Sequence, residues 1–282
     1  MPKIDGGMAM RLIAIGDNVV DYYKDRGEIF PGGNALNVAV LGKRYQAAVS
    51  SYIGIIGNDQ AAEHVKQTLL LENIDISRLR QAFGPNGEAI VSLNTDGDRV
   101  FVGSNAGGVQ AYMGLRLNQQ DKEYIASHDL LHTSIYSNLE HELPELHQKI
   151  AISFDFSNRW TDSYLQRVCP YIDYGFFSGS DLTEDECLQL IQQVHQLGTK
   201  VIGVTRGALG ALFSEEGRLY RQQIVETEVV DTLGAGDSFI AMFLIKYHQN
   251  VEMEDALQQA SLAASKTCGH YGAFGYGVPK VG

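Results

Sequence analysis

Short apolar runs alternate with longer amphipathic segments along most of this chain, and that rhythm constrains the fold more than any other feature. Leu12 to Ile15 is an apolar run stopped by Gly16 and Asp17, which reads as a buried strand ending in a polar loop. Asn34 to Tyr45 carries Leu36, Val38, Val40 and Leu41 among the small Ala35 and Ala39, the pattern of a mostly buried helix. Val49 to Ile56 repeats the strand pattern. Asp59 to Asn73 repeats the helical one, with Ala61, Val65, Leu69 and Leu70 on one face. Strand candidates recur at Leu130 to Thr133, Ala151 to Phe156, Gly175 to Phe177 and Val201 to Val204, and Asp185 to Leu197 reads as a helix between two of them. Strands that are apolar on both faces need cover on both sides. A strand-helix alternation supplies it, so the expected class is α/β with a doubly wound, mostly parallel sheet.

One region breaks the rhythm. Ala89 to Leu93 and Arg99 to Val102 flank Asp96-Gly97, a strong hairpin signal, and Val19 to Phe30 can add strands to the same small sheet. The expected organisation is one α/β domain over 11–282, with a small β-sheet lid drawn from about 19–31 and 88–103. Residues 1–10 read as an irregular leader. Ile224 to Val230 reads as an extended segment.

The chain has 282 residues and a formal net charge of −12, which opposes nonspecific binding to nucleic acid or an anionic membrane. No apolar stretch approaches the roughly 20 residues that span a bilayer. The cysteines Cys169, Cys187 and Cys268 form no paired pattern, so a reducing cytoplasm is the expected setting. His132, His141 and His147 lack metal-ligand spacing and read as packing or surface residues. An exposed lid sheet could pair with a second copy, so a homodimer is an expectation.

The most informative stretch is Asp231-Thr232-Leu233-Gly234-Ala235-Gly236-Asp237-Ser238, followed by the apolar helix Phe239 to Tyr247. Small residues at 234–236 leave backbone N–H groups unobstructed at a helix N-terminus, where the helix dipole favours an anion. Asp237 at the entrance could accept a proton from an attacking hydroxyl, an arrangement suited to phosphoryl transfer to an alcohol. The same residues also read as a turn with Asp237 or Ser238 as N-cap. Neither a dinucleotide fingerprint nor a Walker A loop is present. Upstream, Gly32-Gly33 lies immediately before the first helix and would permit close approach to its N-terminus.

Asp231 to Asp237 (DTLGAGD) resembles the C-terminal signature of the ribokinase or PfkB family of sugar kinases, and Gly32-Gly33 with Asn37 resembles that family's N-terminal glycine-pair motif. The resemblance implies a ribokinase-like core with a lid. It implies that Asp237 is the base and that Gly234, Ala235 and Gly236 form the anion hole. Asp21, Gly33 and Asn37 would bind the sugar, with Asp17 and Asn18 assisting. Thr205, Gly207 and Gly210 resemble the segment that approaches the ATP phosphates, with Arg206 adding charge. Glu184 matches the glutamate of the family's N-x-x-E element near magnesium, although Asp181 replaces the asparagine. Ala263, Ala264, Gly272 and Ala273 fall near the family's adenine pocket and a loop that holds a monovalent cation such as potassium, to which Asp231 would contribute. The runs Ile15 to Asp21, Phe30 to Ala39 and Phe154 to Ser157 with Trp160 resemble the fructoselysine or fructosamine 6-kinase branch, with Tyr22, Tyr23 and Arg99 as lid candidates. The expected activity is ATP- and magnesium-dependent phosphorylation of a primary hydroxyl, O6 of a fructosamine. The alternatives are a kinase for another ketose, pentose or nucleoside, and a non-catalytic sugar or nucleotide sensor.

Overall fold

Strands that are apolar on both faces form the middle of a three-layer arrangement, with helices above and below. The computed structural model describes residues 9–93 and 99–281. In chain order the elements begin with β1 (Arg11–Ile15), β2 (Val19–Tyr23), β3 (Glu28–Gly32), α1 (Asn34–Arg44), β4 (Val49–Ile53), β5 (Ile55–Ile56) and α2 (Gln60–Leu71). The middle supplies β6 (Arg80–Gln81), β7 (Glu88–Leu93), β8 (Arg99–Ser104), α3 (Gly108–Met113), α4 (Gln119–Ile125), β9 (Leu130–Ser134), α5 (Leu143–Leu146) and β10 (Ala151–Asp155). The last third comprises α6 (Asp162–Val168), β11 (Tyr174–Ser178), α7 (Glu184–Gln196), β12 (Val201–Thr205), β13 (Ala211–Glu215), β14 (Arg218–Gln222), α8 (Ala235–His248), α9 (Met253–Thr267) and β15 (Val278–Pro279).

The central sheet has the order β14, β13, β12, β11, β10, β9, β1, β4. All neighbours from β12 to β4 are parallel, and β13 and β14 return antiparallel at one edge. Alternate side chains of β1 enter different layers. Leu12 and Ala14 join Val38, Phe243 and Leu257 on one face, while Ile13 and Ile15 join Leu143, Leu165 and Ile191 on the other. The sheet is therefore doubly wound. Phe213 and Phe243 pack with ring centroids 4.9 Å apart, and each buried side chain of this size contributes about 1.5–3 kcal/mol. The strand after β1 in the chain's main sheet, β4, lies on one side of it and β9 lies on the other. Such a reversal opens a crevice at the carboxyl ends of the strands, where open α/β sheets place their ligands.

A second sheet has the order β15, β3, β2, β7, β8. It is fastened to the core by Tyr23, Phe30 and Val91, which pack with Leu233 and Tyr271. The Asp96-Gly97 turn lies outside the described residues, as does the side chain of Arg99.

Several sequence expectations are corrected. Met10 is no part of a leader: its side chain is fully buried in the core, and its carbonyl accepts from Ala48 N at 2.8 Å. The run Val49 to Ile56 is broken at Gly54, where the chain leaves β4 and pairs β5 with β6. The hairpin of β13 and β14 was not anticipated. Its turn at Glu216-Gly217 has φ of 48° and 93°, and the readable signal was the alternation on either side of a glycine turn. Ile224 to Val230 has no regular secondary structure, and neither Asp237 nor Ser238 is an N-cap, because α8 already begins at Ala235 with Gly234 capping it. No helix of the described residues is long and apolar enough to cross a membrane.

Truncating Met10 to alanine tests the revised boundary. Burial at this depth predicts a loss of about 2–5 kcal/mol in urea unfolding, whereas a leader residue would leave stability unchanged.

Candidate active site

The crevice begins where β1 runs into Gly16 and Asp17. The Asp17 carboxylate accepts from Asn34 N at 2.6 Å, from Ser134 Oγ at 2.8 Å and from Ser137 Oγ at 3.0 Å. It thereby satisfies an orphan amide at the start of α1 and ties that helix to the end of β9. Asp17 is committed to this cap. Gly33, the residue before α1, has φ 111°, and a Cβ there would lie 2.8 Å from Asn18 Cα. A Cβ at Gly32 would lie 2.1 Å from the Asp21 carboxylate. What approaches closely at the glycine pair is thus the protein's own chain.

With α1 so placed, Asn34 and Asn37 reach the N-terminus of α8. Asn34 Nδ2 donates to Asp237 Oδ1 at 2.7 Å and to Asp155 Oδ2 at 2.6 Å. Asn37 Nδ2 donates to Asp237 Oδ2 at 2.6 Å. The Asn37 Oδ1 is buried with no hydrogen-bond partner. Behind Asn34, its Oδ1 meets His132 Nε2 at 3.0 Å, and His132 Nδ1 meets Ser153 Oγ at 2.9 Å. Burial dominates the electrostatics. It pushes the Asp237 carboxyl up to about 8, with Asp155 and Asp17 adding like charge against the opposing amide bonds. It pushes Asp155 up to about 6 and the His132 imidazole down to about 3.

Asp237 sits in the first turn of α8. Ser238 N is the first intrahelical donor, to Gly234 O at 2.8 Å, and Ala235 N donates to Thr232 O at 3.3 Å, so the amides of Gly236 and Asp237 are the ones this turn leaves for a ligand. Gly234 has φ 74° and packs so closely on Ala273 that a Cβ would lie 2.3 Å from the alanine methyl. A Cβ at Gly236 would meet nothing within 4 Å, so this glycine faces open space beside the amides. The arrangement combines a carboxyl group able to take a proton with a helix N-terminus able to hold an anion.

The remaining sequence candidates divide into two groups. Asp21 is buried on β2 in the second sheet. Asp231 accepts from Leu233 N at 3.0 Å, from Gly272 N at 3.1 Å and from the Tyr23 hydroxyl. These donors fix the orientation of its carboxylate between the two sheets. On the other side, Thr205 ends β12, Gly207 faces open space, and Gly210 is required by packing, a Cβ there lying 2.1 Å from Gln222 O. Arg206 is not a solvated surface residue: its side chain is 12% exposed and lies 3.6 Å from Glu184 Oε2. Glu184 also pairs with Arg221 at 2.8 Å. Tyr23 packs inside the second sheet, and Trp160 packs edge-on against Phe177.

Asn34, Asp155 and His132 had no assigned role in the sequence reading. Asn34 stands between the glycine pair and Asn37, and Asp155 is a lone carboxylate closing an apolar strand. Those were the available signals. His132 carried none.

Comparison with known proteins follows the same lines. Residues 2–280 match the pfkB family carbohydrate kinase model. The chain is 55% identical over 270 residues to fructosamine kinase FrlD of Bacillus subtilis, covering 96% of this chain and 95% of that protein. It is 35% identical to fructoselysine 6-kinase of Escherichia coli, covering 93% and 99%. In structure it resembles Arabidopsis thaliana ribokinase complexed with ribose and ATP, with a TM-score of 0.81 at 20% identity and coverage of 94% and 95%.

A carboxyl group that binds its proton more tightly in the folded chain than in the unfolded one destabilises the fold as pH rises between the two values, here from about 4 to about 8. Asp237→Asn removes this load, and Asn37 can turn its unpartnered oxygen to the new amide. The variant should melt several degrees above the parent at pH 8 and lose that advantage near pH 4. A pH-independent difference in Tm would contradict the shifted carboxyl.

Proposed function

The chain belongs to the pfkB family of carbohydrate kinases, and from that premise we propose that it transfers the γ-phosphoryl group of ATP to O6 of a fructosamine such as fructoselysine. The observation that carries this reading is the position of Asp237, held by two asparagine amides at the mouth of an open helix N-terminus. That it is a phosphotransferase acting on a sugar hydroxyl rests on the family and on the fructosamine and fructoselysine kinases it resembles. The narrower substrate is supported by the same relatives.

In this reading the sugar hydroxyl lies against Asp237, which takes its proton as the oxygen attacks the γ-phosphorus and the bond to the bridging oxygen of ADP breaks. The first-turn amides of Gly236 and Asp237, with the α8 dipole, hold the charge on the transferring group, and Ala235, whose own amide donates to Thr232 O at 3.3 Å, keeps the turn small beside them. Asn37 and Gly33 border the sugar, and Asp21 reaches it from the second sheet. Asp17 acts through the α1 cap. On the nucleotide side, Thr205, Arg206 and Gly207 border the phosphates. Ile224, Val229 and Val230 are exposed on the segment before Asp231 and offer apolar surface to the base, whereas Ala263 and Ala273 are enclosed. Among the described residues no three His, Cys, Asp or Glu side chains form a metal cluster. Magnesium would be carried by phosphate oxygens and water, with Glu184 as a nearby carboxylate, and would supply charge neutralisation on the phosphates. Asp231 stays the candidate contributor to a monovalent-cation loop.

An assay of ADP release across fructosamines, fructose, ribose and nucleosides tests the substrate. A preference for fructosamines is expected, and preference for a plain sugar or nucleoside would overturn the narrower reading. Asp237→Asn should lower turnover at least about a hundredfold. In the parent, kcat/KM should rise with pH toward about 8 as Asp237 loses its proton. Val100, Phe101 and Val102 are exposed on β8, the edge strand of the second sheet, and support pairing with a second copy. Light scattering should then give a dimer mass, and a monomer mass would exclude that pairing.

A further inference from the structure

His132 lies on β9, fully buried behind the crevice, and the chemistry above gives it no task. Both ring nitrogens are nevertheless partnered, Nδ1 with Ser153 Oγ and Nε2 with Asn34 Oδ1. Asn34 spends both hydrogens of its amide on carboxylates, one on Asp155 and one on Asp237. Its oxygen can only accept, so Nε2 must carry the ring proton and Nδ1 must accept from the Ser153 hydroxyl. Every donor in this chain points the same way, from Ser153 through His132 and Asn34 to the two acids.

The groups that face Asp237 are Asn34 and Asn37 from α1, Asp155 from the end of β10 and Asp17 from the loop after β1. None is a cation. The amide hydrogens therefore favour its charged form against two neighbouring acids. Turning the Asn34 amide over would set an oxygen against two carboxylates and would also lose the hydrogen bond from His132 Nε2, which adds to the opposition to that rotation.

We propose that His132 is a positioning residue for Asp237: as the Nε2–H tautomer it locks the Asn34 amide, so that Asp237 meets the incoming hydroxyl as a carboxylate. The inference rests on the reading of Asp237 as the group that receives the hydroxyl proton.

The test compares His132→Leu with His132→Gln, whose side-chain amide can still donate to Asn34. Carboxyl-13C aspartate labelling follows the Asp237 titration by NMR, with its resonance assigned from Asp237→Asn, and kcat/KM is measured against pH with fructoselysine and ATP. In His132→Leu both midpoints should rise by a unit or more, and in His132→Gln both should return near the parent. A folded His132→Leu that titrates like the parent, or a His132→Gln displaced as far, overturns the proposal. If His132→Leu does not fold, Ser153→Ala is read instead. It frees Nδ1 to take the proton, and an upward shift is expected where an unmoved midpoint would be fatal. A shift in the NMR midpoint without one in the rate profile would support the positioning role while removing Asp237 as the base.

Discussion

Three carboxylates, Asp17, Asp155 and Asp237, converge at one end of the central sheet, and the rest of the crevice is arranged around keeping them there. Acids drawn into one crevice repel one another, and Asp155, the most enclosed of the three, also loses hydration. No cation among the described residues offsets them. The structure supplies neutral donors: an α1 amide and two serines for Asp17, Ser157 N and Asn34 for Asp155, Asn34 and Asn37 for Asp237. The N-termini of α1 and α8 both face the same point, so the dipoles of two helices add to the donors. Such a site retains its acids on neutral donors, and the unbonded amides at the start of α8 remain able to meet an anion.

That convergence depends on small residues at a few places. Gly33 lets α1 start against the backbone of 17–18, and without that approach neither asparagine would reach α8. Gly234 allows the turn before α8 to seat on Ala273. Gly236 is different, since nothing in the protein fills the space beside it. Asp231, between the two sheets, joins Tyr23 of the second sheet to the same turn. The second sheet is in this way tied to the turn that begins α8.

The fold class was legible because period and burial agree. The runs at Leu12 and Val201 are apolar at consecutive positions, as a doubly covered strand requires, and those at Leu130 and Ala151 keep the same short length with one or two polar residues set among the apolar ones. The β13–β14 hairpin was hidden because β14, the edge strand, is mostly polar, and Met10 was hidden because the few residues before it carry no period. In the site, the DTLGAGD stretch and the glycine pair were legible as motifs, since their spacing along the chain is itself the signal. The acid cluster was not legible. Asp17, Asp155 and Asp237 are separated by long stretches of chain, and nothing in the residues around Asp155 distinguishes a buried acid from a strand-end turn.

By itself the sequence determined the layered α/β architecture and the small second sheet, and it marked the two glycine-containing loops proposed for the chemistry, because these follow from local periodicity and from where side chains are small. Only the tertiary structure decided which residues meet. It gave Asp17 to a helix cap, Asp231 to a brace and Arg206 to a partly enclosed ion pair. It brought His132, Asn34 and Asp155 to Asp237. Hydrogen-bond partnership and desolvation are properties of position in space, and they arise only when strands remote in sequence are laid side by side.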